Sequence, residues 1–498
     1  MLGFWRTHDS YQERVVQELS KIAIRSPFSV LEYENSISKV YILDLDVLHD
    51  DVVRLYSHTG RPAELQPEIF RSLVLMNDLG YSLDEWVHTK LPKNPVLQAA
   101  CGFFGELPRI ASYYDFIDRI IKLDERPRVK KKKRKPKNKI GKGKKLSVKR
   151  PGVVAQLVTR ILDGRRFNNR PERLLQEIFA KICVQKSIDL GLIPQNVTIS
   201  GDGTCIETGA SHFGVKVCEC SSRGDYHCDC LRRFSDPNAA WGWDSHNEHW
   251  FYGYTGYFIS TYNKVEKLDL PLYLRLVEAS RHDSVSAVVA LAEFRDLYPN
   301  LTIDTFISDS ASDNYATYEL LHAWNINAVI ALNSTNKGNF KYPEALNHID
   351  GVPVCPGGHM MIHWGFCGKD RCRIKFRCPR VLGKAEPCDA CNNCSPSSYG
   401  RVIYTKPDWD LRLFSKIPRG TEAWKSKMKE RTAAERVNNR ILHHYGIKNS
   451  KNRGKKRISF FTTIAAINIH LDAQLAILKR NHSFDFAALL GLNAVVAA

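Results

Sequence analysis

Two aspartates that follow apolar runs, and one glutamate on a polar helix face, are the residues of this chain best suited to phosphodiester chemistry. Asp202 lies in ISGDGT, where glycine on both sides keeps the carboxylate open, and Asp309 lies in FISDSASDN, where a buried strand gives out. Carboxylates beyond the carboxyl ends of neighbouring strands are placed to meet a ligand. Joined by a third from a helix packed alongside, they can hold two divalent ions ~3.5–4 Å apart. One ion activates an attacking water or 3′-hydroxyl and the other steadies the leaving oxygen, so the site calls for hard oxygen ligands suited to Mg²⁺ or Mn²⁺. Glu435 is the helical candidate. In the helix expected from Glu422 to Tyr445, Trp424, Met428, Val437, Ile441 and Tyr445 fall near one face, and Arg431, Glu435, Asn438 and Asn439 fall on another. Singly, an Asp after a strand is a turn residue and a Glu four residues after an Arg is an ion-pair partner. The order strand Asp, strand Asp, helix Glu is what carries the reading.

The cysteines offer a second chemistry. CPRVLGKAEPCDACNNC places Cys388, Cys391 and Cys394 at C-x2-C-x2-C spacing with Cys378 ten residues upstream, a set that suits a structural zinc ion. Its surroundings are polar and turn-rich and offer no evident core, so a metal would supply the stability that sparse apolar content does not. Cys218, Cys220, Cys228 and Cys230 form a C-x-C-x7-C-x-C cluster. Alternate thiols reach one ion only in a turn, so zinc and an exposed hairpin of free thiols both stay open for it.

The acids need a scaffold, and the pattern from residue 196 onward supplies one. Asn196–Asp202 reads as a short buried strand, Trp250–Ser260 and Leu272–Ala279 as the next two, and a helix runs through SVSAVVALAEFRDLY. The strand Ile303–Ser308, a helix around Tyr315–Trp324 and the strand Ala328–Leu332 follow. Three sequential strands and then alternating helices and strands give an α/β fold with a mixed sheet flanked by helices. Residues 333–420, rich in Gly, Pro, Asn and Cys, read as an insertion within a catalytic domain spanning 151–480. Residues 1–125 read as an all-helical, DNA-binding domain, 126–150 as a flexible basic linker and 481–498 as a C-terminal tail.

Composition bounds the partners. The chain has 498 residues, 72 Lys or Arg against 53 acids, and a net charge of +19, a balance that signals a polyanion such as double-stranded DNA. Residues 126–150 hold 15 of the basic residues and no acid, leaving +4 elsewhere. Lys131, Lys132, Lys133 and Arg134 form its densest run, and a flexible basic arm binds phosphates by releasing counterions without folded geometry. No secretory signal precedes the first helix, so a cytoplasmic, nucleoid-associated protein is expected. In that reducing setting, fourteen cysteines read as thiols or metal ligands. The apolar stretch Ile458–Leu478, interrupted by Asn468, His470, Asp472 and Gln474, reads as a buried helix rather than a membrane span.

With these residues in view, the chain resembles the DDE-type transposases of bacterial insertion sequences. The likeness runs through Gly60-Arg61-Pro62, Asp202-Gly203-Thr204, Ser235-Asp236-Pro237-Asn238-Ala239 before Trp241-Gly242, Tyr252-Gly253-Tyr254, His282-Asp283-Ser284, Asp309 and the helix RTAAERVNNRIL. It implies a ribonuclease H-like catalytic fold, shared with retroviral integrases, with Asp202, Asp309 and Glu435 as ligands of two catalytic ions. It also implies cleavage at element ends, joining of the 3′-hydroxyls to target DNA, and at least a homodimer in the DNA complex. Arg431 and Glu435 fit the signature of the last helix and place Arg431 at the DNA. Met428 and Leu442 stand where many relatives carry Tyr and Lys. Asp313 and the pair His282 and Asp283 are further acidic or capping candidates near the same strand ends. A metal-dependent nuclease of the same fold and a non-catalytic DNA-binding derivative are the alternatives.

Overall fold

The computed structural model describes residues 1–122, 130–131, 151–166, 172–245, 247–334, 341–368, 370–388 and 394–492. The first 122 residues are built from helices, the longest being α1 (His8–Arg25) and α2 (Gln66–Asp78). Thr7 caps α1 by accepting from the Ser10 amide. Val153–Leu162 (α3) then leads toward a six-stranded mixed sheet.

The sheet comprises β1 (Asn196–Glu207), β2 (Ala240–Asp244), β3 (His249–Asn263), β4 (Leu268–Glu278), β5 (Thr302–Ser308) and β6 (Asn327–Ile330). β3 runs antiparallel to β1 on one side and to β2 and β4 on the other; β5 adds parallel to β1, and β6 parallel to β5. The crossovers are α4 (Asp283–Leu297) between β4 and β5, and α5 (Tyr315–Ala323) between β5 and β6. The expected mixed α/β sheet with flanking helices is therefore present, with one local difference. β1 does not stop at Asp202 but runs on to Glu207, because β3 continues to pair with it as far as Glu207↔Gly253 after β5 has ended.

The helix expected over residues 422–445 is broken: Glu422–Lys429, then α6 (Thr432–Asn439), then a widened turn over Arg440–His444. The final long helix, α7 (Lys455–Arg480), is long and apolar enough to cross a membrane by length and composition, yet 78% of its most apolar window is buried inside the protein. Its polar residues explain the placement. Asn468 donates to the Val74 carbonyl at 3.1 Å, Gln474 to the Cys183 carbonyl at 3.0 Å, and His470 bridges the Ser187 hydroxyl and the Pro271 carbonyl at 2.8 and 2.7 Å. These bonds fix α7 between α2 and the sheet, so one continuous apolar core joins the N-terminal helices to β1, β3 and β4. Residues 1–122 thus share their core with the sheet instead of closing one of their own.

Two more expectations are corrected. Residues 481–498 are not simply an appended tail, since a short helix at Phe486–Leu489 inserts Phe486, Leu490 and Leu492 into the main core; residues 493–498 lie outside the described residues. The 333–420 insertion does have a core: Ile374 and Phe376 of the hairpin Ile362–Cys367/Arg373–Arg377 pack with Val352, Cys355, Met361, Leu413 and Phe414. Turn-rich composition hid it, because its apolar residues are spread thinly over many short segments.

Burial lowers the His470 imidazole to about 4, and the neutral ring can accept from Ser187 while donating to Pro271. The folded value lies below the unfolded one, so this group's contribution is full above about 6.5 and is lost as pH falls toward about 4. Wild type is expected to lose thermal stability across that window relative to His470→Gln, and parallel curves for the two proteins would refute the assignment.

Candidate active site

β1 and β5 bring the two aspartates together. Their last paired residues are Ser200 and Ile307, and Asp202 and Asp309 each lie two residues further on, at the same end of adjacent parallel strands. Asp309 closes its strand by accepting from the Ala311 amide at 3.1 Å, which caps the turn Ser310–Ser312. Side chains alternate along β1, so Asp202 points to the face covered by α6 and its glycine neighbours to the face covered by α4. From α6, Asn438 donates its amide to Asp202 Oδ2 at 2.9 Å and Arg431 lies 3.9 Å from Oδ1. Glu435 is half-exposed on the same helix, and its carboxylate is paired with Arg431.

The acidic end of the sheet holds a further carboxylate. Asp283, in the first turn of α4, packs over Gly203: a Cβ there would sit 2.6 Å from Asp283 Oδ1, so a larger residue would displace the carboxylate. Gly201 in the same way makes space for the buried Tyr257 hydroxyl. For Asp283 the sequence left open both a capping pair with His282 and an approach to the site. The structure gives the cap to His282, which accepts from the Ser284 amide, and frees Asp283 to face the acids. The signal available was the pair of glycines around Asp202, which marks a close approach from both faces.

Electrostatics follow from the packing. Burial first, and then the charges of Asp309, Asp283 and Glu435, push the Asp202 carboxyl up to about 7, against the pull of Arg431; burial and Asp309 push Asp283 up to about 6. A set of carboxylates in which burial and mutual repulsion disfavour ionisation is one that a cation would relieve, and its oxygen donors fit a hard divalent ion. The three proposed ligands are not drawn tightly together, however. Among the described residues, the one group of His, Cys, Asp or Glu with ligand atoms all within 4.8 Å of one another is Cys218, Cys220, Cys228 and Cys230.

Asp202 titrates above its unfolded value, so this group's contribution to stability is full below about 3.8 and is lost as pH rises through about 7. Asp202→Asn is accordingly expected to raise the unfolding midpoint by a few degrees at pH 8 in metal-free buffer, with the gain shrinking toward pH 4. A lower midpoint at pH 8 would show that Asp202 is held by structural bonds and not strained by its neighbours.

The remaining candidates separate clearly. Asp313, four residues after Asp309, is buried and paired with Arg412 through bonds of 2.8–3.1 Å, and also accepts from Tyr318 and the Asn333 amide, so it ties the insertion to the sheet. Leu442 is buried. The zinc set of Cys378, Cys388, Cys391 and Cys394 is not assembled among the described residues: Cys391 lies outside them, and Cys378, Cys388 and Cys394 do not converge within 4.8 Å. Instead the cluster left open, Cys218 to Cys230, is the one whose thiols meet. Of the basic run, Lys131 lies in a two-residue strand, Lys130–Lys131, while Lys132, Lys133 and Arg134 lie outside the described residues. No family model matches the chain, and no curated protein matches it.

Proposed function

We propose that this chain is a DNA transposase of the DDE type, with a ribonuclease H-like catalytic sheet. The observation that carries the reading is the acidic end of β1 and β5, where Asp202 and Asp309 stand side by side and α6 sets Glu435, Arg431 and Asn438 against them. Asp202, Asp309 and Glu435 would hold two Mg²⁺ or Mn²⁺ ions, which activate the attacking oxygen and stabilise the leaving one. The chain's own groups do the rest. Asn438 orients the Asp202 carboxylate, Asp283 adds negative charge from the opposite face, and Arg431, partly exposed beside the acids, would meet a DNA phosphate. Ion binding at Glu435 requires Arg431 to release it, and phosphate offers Arg431 a replacement partner, so ion and DNA would favour each other.

A protein of this kind hydrolyses a phosphodiester at each element end to free a 3′-hydroxyl, then uses that hydroxyl to attack target DNA, most simply as a homodimer spanning two ends. The test is incubation of the purified protein with duplexes carrying the element's ends, with and without Mg²⁺ or Mn²⁺. The expected products are metal-dependent 3′-hydroxyl ends and their joined strand-transfer products. Cleavage without joining would favour a nuclease, and binding without cleavage a non-catalytic derivative.

A further inference from the structure

We propose that Cys218, Cys220, Cys228 and Cys230 hold one structural zinc ion, and that the ion closes a basic ribbon into the shape in which it contacts the DNA phosphate backbone. The second half of this statement rests on the DNA-binding reading above; the first does not.

The four thiols lie on the excursion between β1 and β2. Cys218 Sγ is 3.5 Å from Cys228 Sγ, Cys220 Sγ is 3.5 Å from Cys230 Sγ, and all four lie within 4.8 Å of one another. Four sulfurs at about 2.3 Å from one tetrahedral ion stand roughly 3.8 Å apart, a spacing that falls inside the observed range. The turn that brings alternate thiols together is also present. Cys220–Arg223 forms one tight helical turn, closed by Gly224 at φ 81° and by the Asp225 amide donating to the Cys220 carbonyl at 2.9 Å. Soft thiolates in a tetrahedral set select zinc over the hard ions suited to the acidic site. Binding releases the four thiol protons and leaves a centre of net charge −2. Guanidinium groups stand ready for that charge: Arg232 Nη2 is 3.8 Å from Cys228 Sγ and Arg223 Nη2 is 4.0 Å from Cys220 Sγ.

The cysteines sit in the loop of a hairpin whose strands are Val215–Lys216 and Arg232–Arg233, paired Lys216↔Arg232 and Val215↔Arg233. The other edge of Arg232–Arg233 is taken by Lys130–Lys131 from the basic linker, paired Lys131↔Arg232 and Lys130↔Arg233. The result is a three-stranded ribbon, two residues per strand, in which every residue but Val215 is basic. Such a ribbon has no apolar face to bury, and like charges set across strands repel. Two things compensate: a metal that closes the hairpin covalently at its loop, and a polyanion laid over its charges. The same ion therefore steadies the strand Arg232–Arg233 against which Lys130–Lys131 of the linker pair.

The test uses the full-length protein purified without chelator. Elemental analysis is expected to find one zinc per chain fewer in Cys228→Ser/Cys230→Ser than in wild type, and no loss in Cys388→Ser/Cys394→Ser. Cobalt exchange should give the intense thiolate-to-metal absorption of a tetrathiolate site in wild type and lose it in the first variant. Undiminished zinc in Cys228→Ser/Cys230→Ser, or disulfides linking these four cysteines in the native protein, overturns the site. For the ribbon, Cys228→Ser/Cys230→Ser and Arg233→Ala are each expected to weaken binding to an arbitrary duplex several-fold and to flatten its salt dependence, with the main unfolding transition retained. Zinc loss with unchanged DNA affinity and salt slope overturns the ribbon's role and leaves the metal site standing. Failure of wild type itself to bind DNA, with zinc present, counts against the DNA reading alone.

Discussion

Asp202→Ala, Asp309→Ala and Glu435→Ala are each expected to lower DNA cleavage by at least ~100-fold while leaving DNA binding within a few-fold of wild type. Removing one carboxylate from a site that steadies developing charge on phosphate oxygens forfeits several kcal/mol of transition-state stabilisation. Phosphate contacts made elsewhere carry affinity and are untouched. Stability separates the three further: Asp202 is buried among like charges, so its removal should not unfold the chain, and Glu435 is half-exposed on α6. Asp313→Ala is the contrasting control. It leaves Arg412 buried without its carboxylate partner and should destabilise the protein instead of selectively silencing it. Gel-based cleavage and fluorescence anisotropy on the same preparations read both quantities, and undiminished cleavage by any of the three alanine variants removes that residue from the site.

Replacing the basic residues from Lys130 to Lys145 with Gln or Ser is expected to weaken DNA binding by roughly 100-fold or more at physiological salt. The loss should be nearly equal on element ends and on unrelated duplexes, because phosphate contacts carry no base information. Each contact removed should reduce the log–log salt slope by about 0.9. Most of this segment lies outside the described residues, but Lys130–Lys131 pair with Arg232–Arg233 on the excursion between β1 and β2. An unchanged affinity and slope would reduce the linker to a tether.

The parts of the fold legible in the sequence were those governed by local pattern. β3, β5 and α5 are where apolar runs and helical spacing place them, and the buried helix Ile458–Leu478 falls within α7, because polar residues at Asn468, His470 and Gln474 require partners only a protein core provides. The acids were legible in type and order, yet their geometry was not. Asp202 lies inside a strand and not at its end, since β3 keeps pairing after β5 stops, and strand length there is set by a neighbour distant in sequence. Asp283 illustrates the same limit: a residue after a strand and before a helix satisfies a capping pattern as well as an approach to the acids, and the packing of α4 over Gly203 decides between them. Cysteine spacing misled in the opposite direction. The regular C-x2-C-x2-C run suggested the better metal site, but the convergence of Cys218, Cys220, Cys228 and Cys230 depends on a hairpin whose short basic strands carry no propensity signal.

Metal-dependent strand cutting and joining by Asp202, Asp309 and Glu435 is the central proposal. The most direct measurement is excision and reinsertion of a marked element, carrying the DNA that flanks this gene as its ends, in cells supplying either the wild-type chain or Glu435→Ala at equal abundance. Excised donor sites and new insertions are expected with the wild-type chain and neither with Glu435→Ala. Equal excision and insertion with both chains would contradict it.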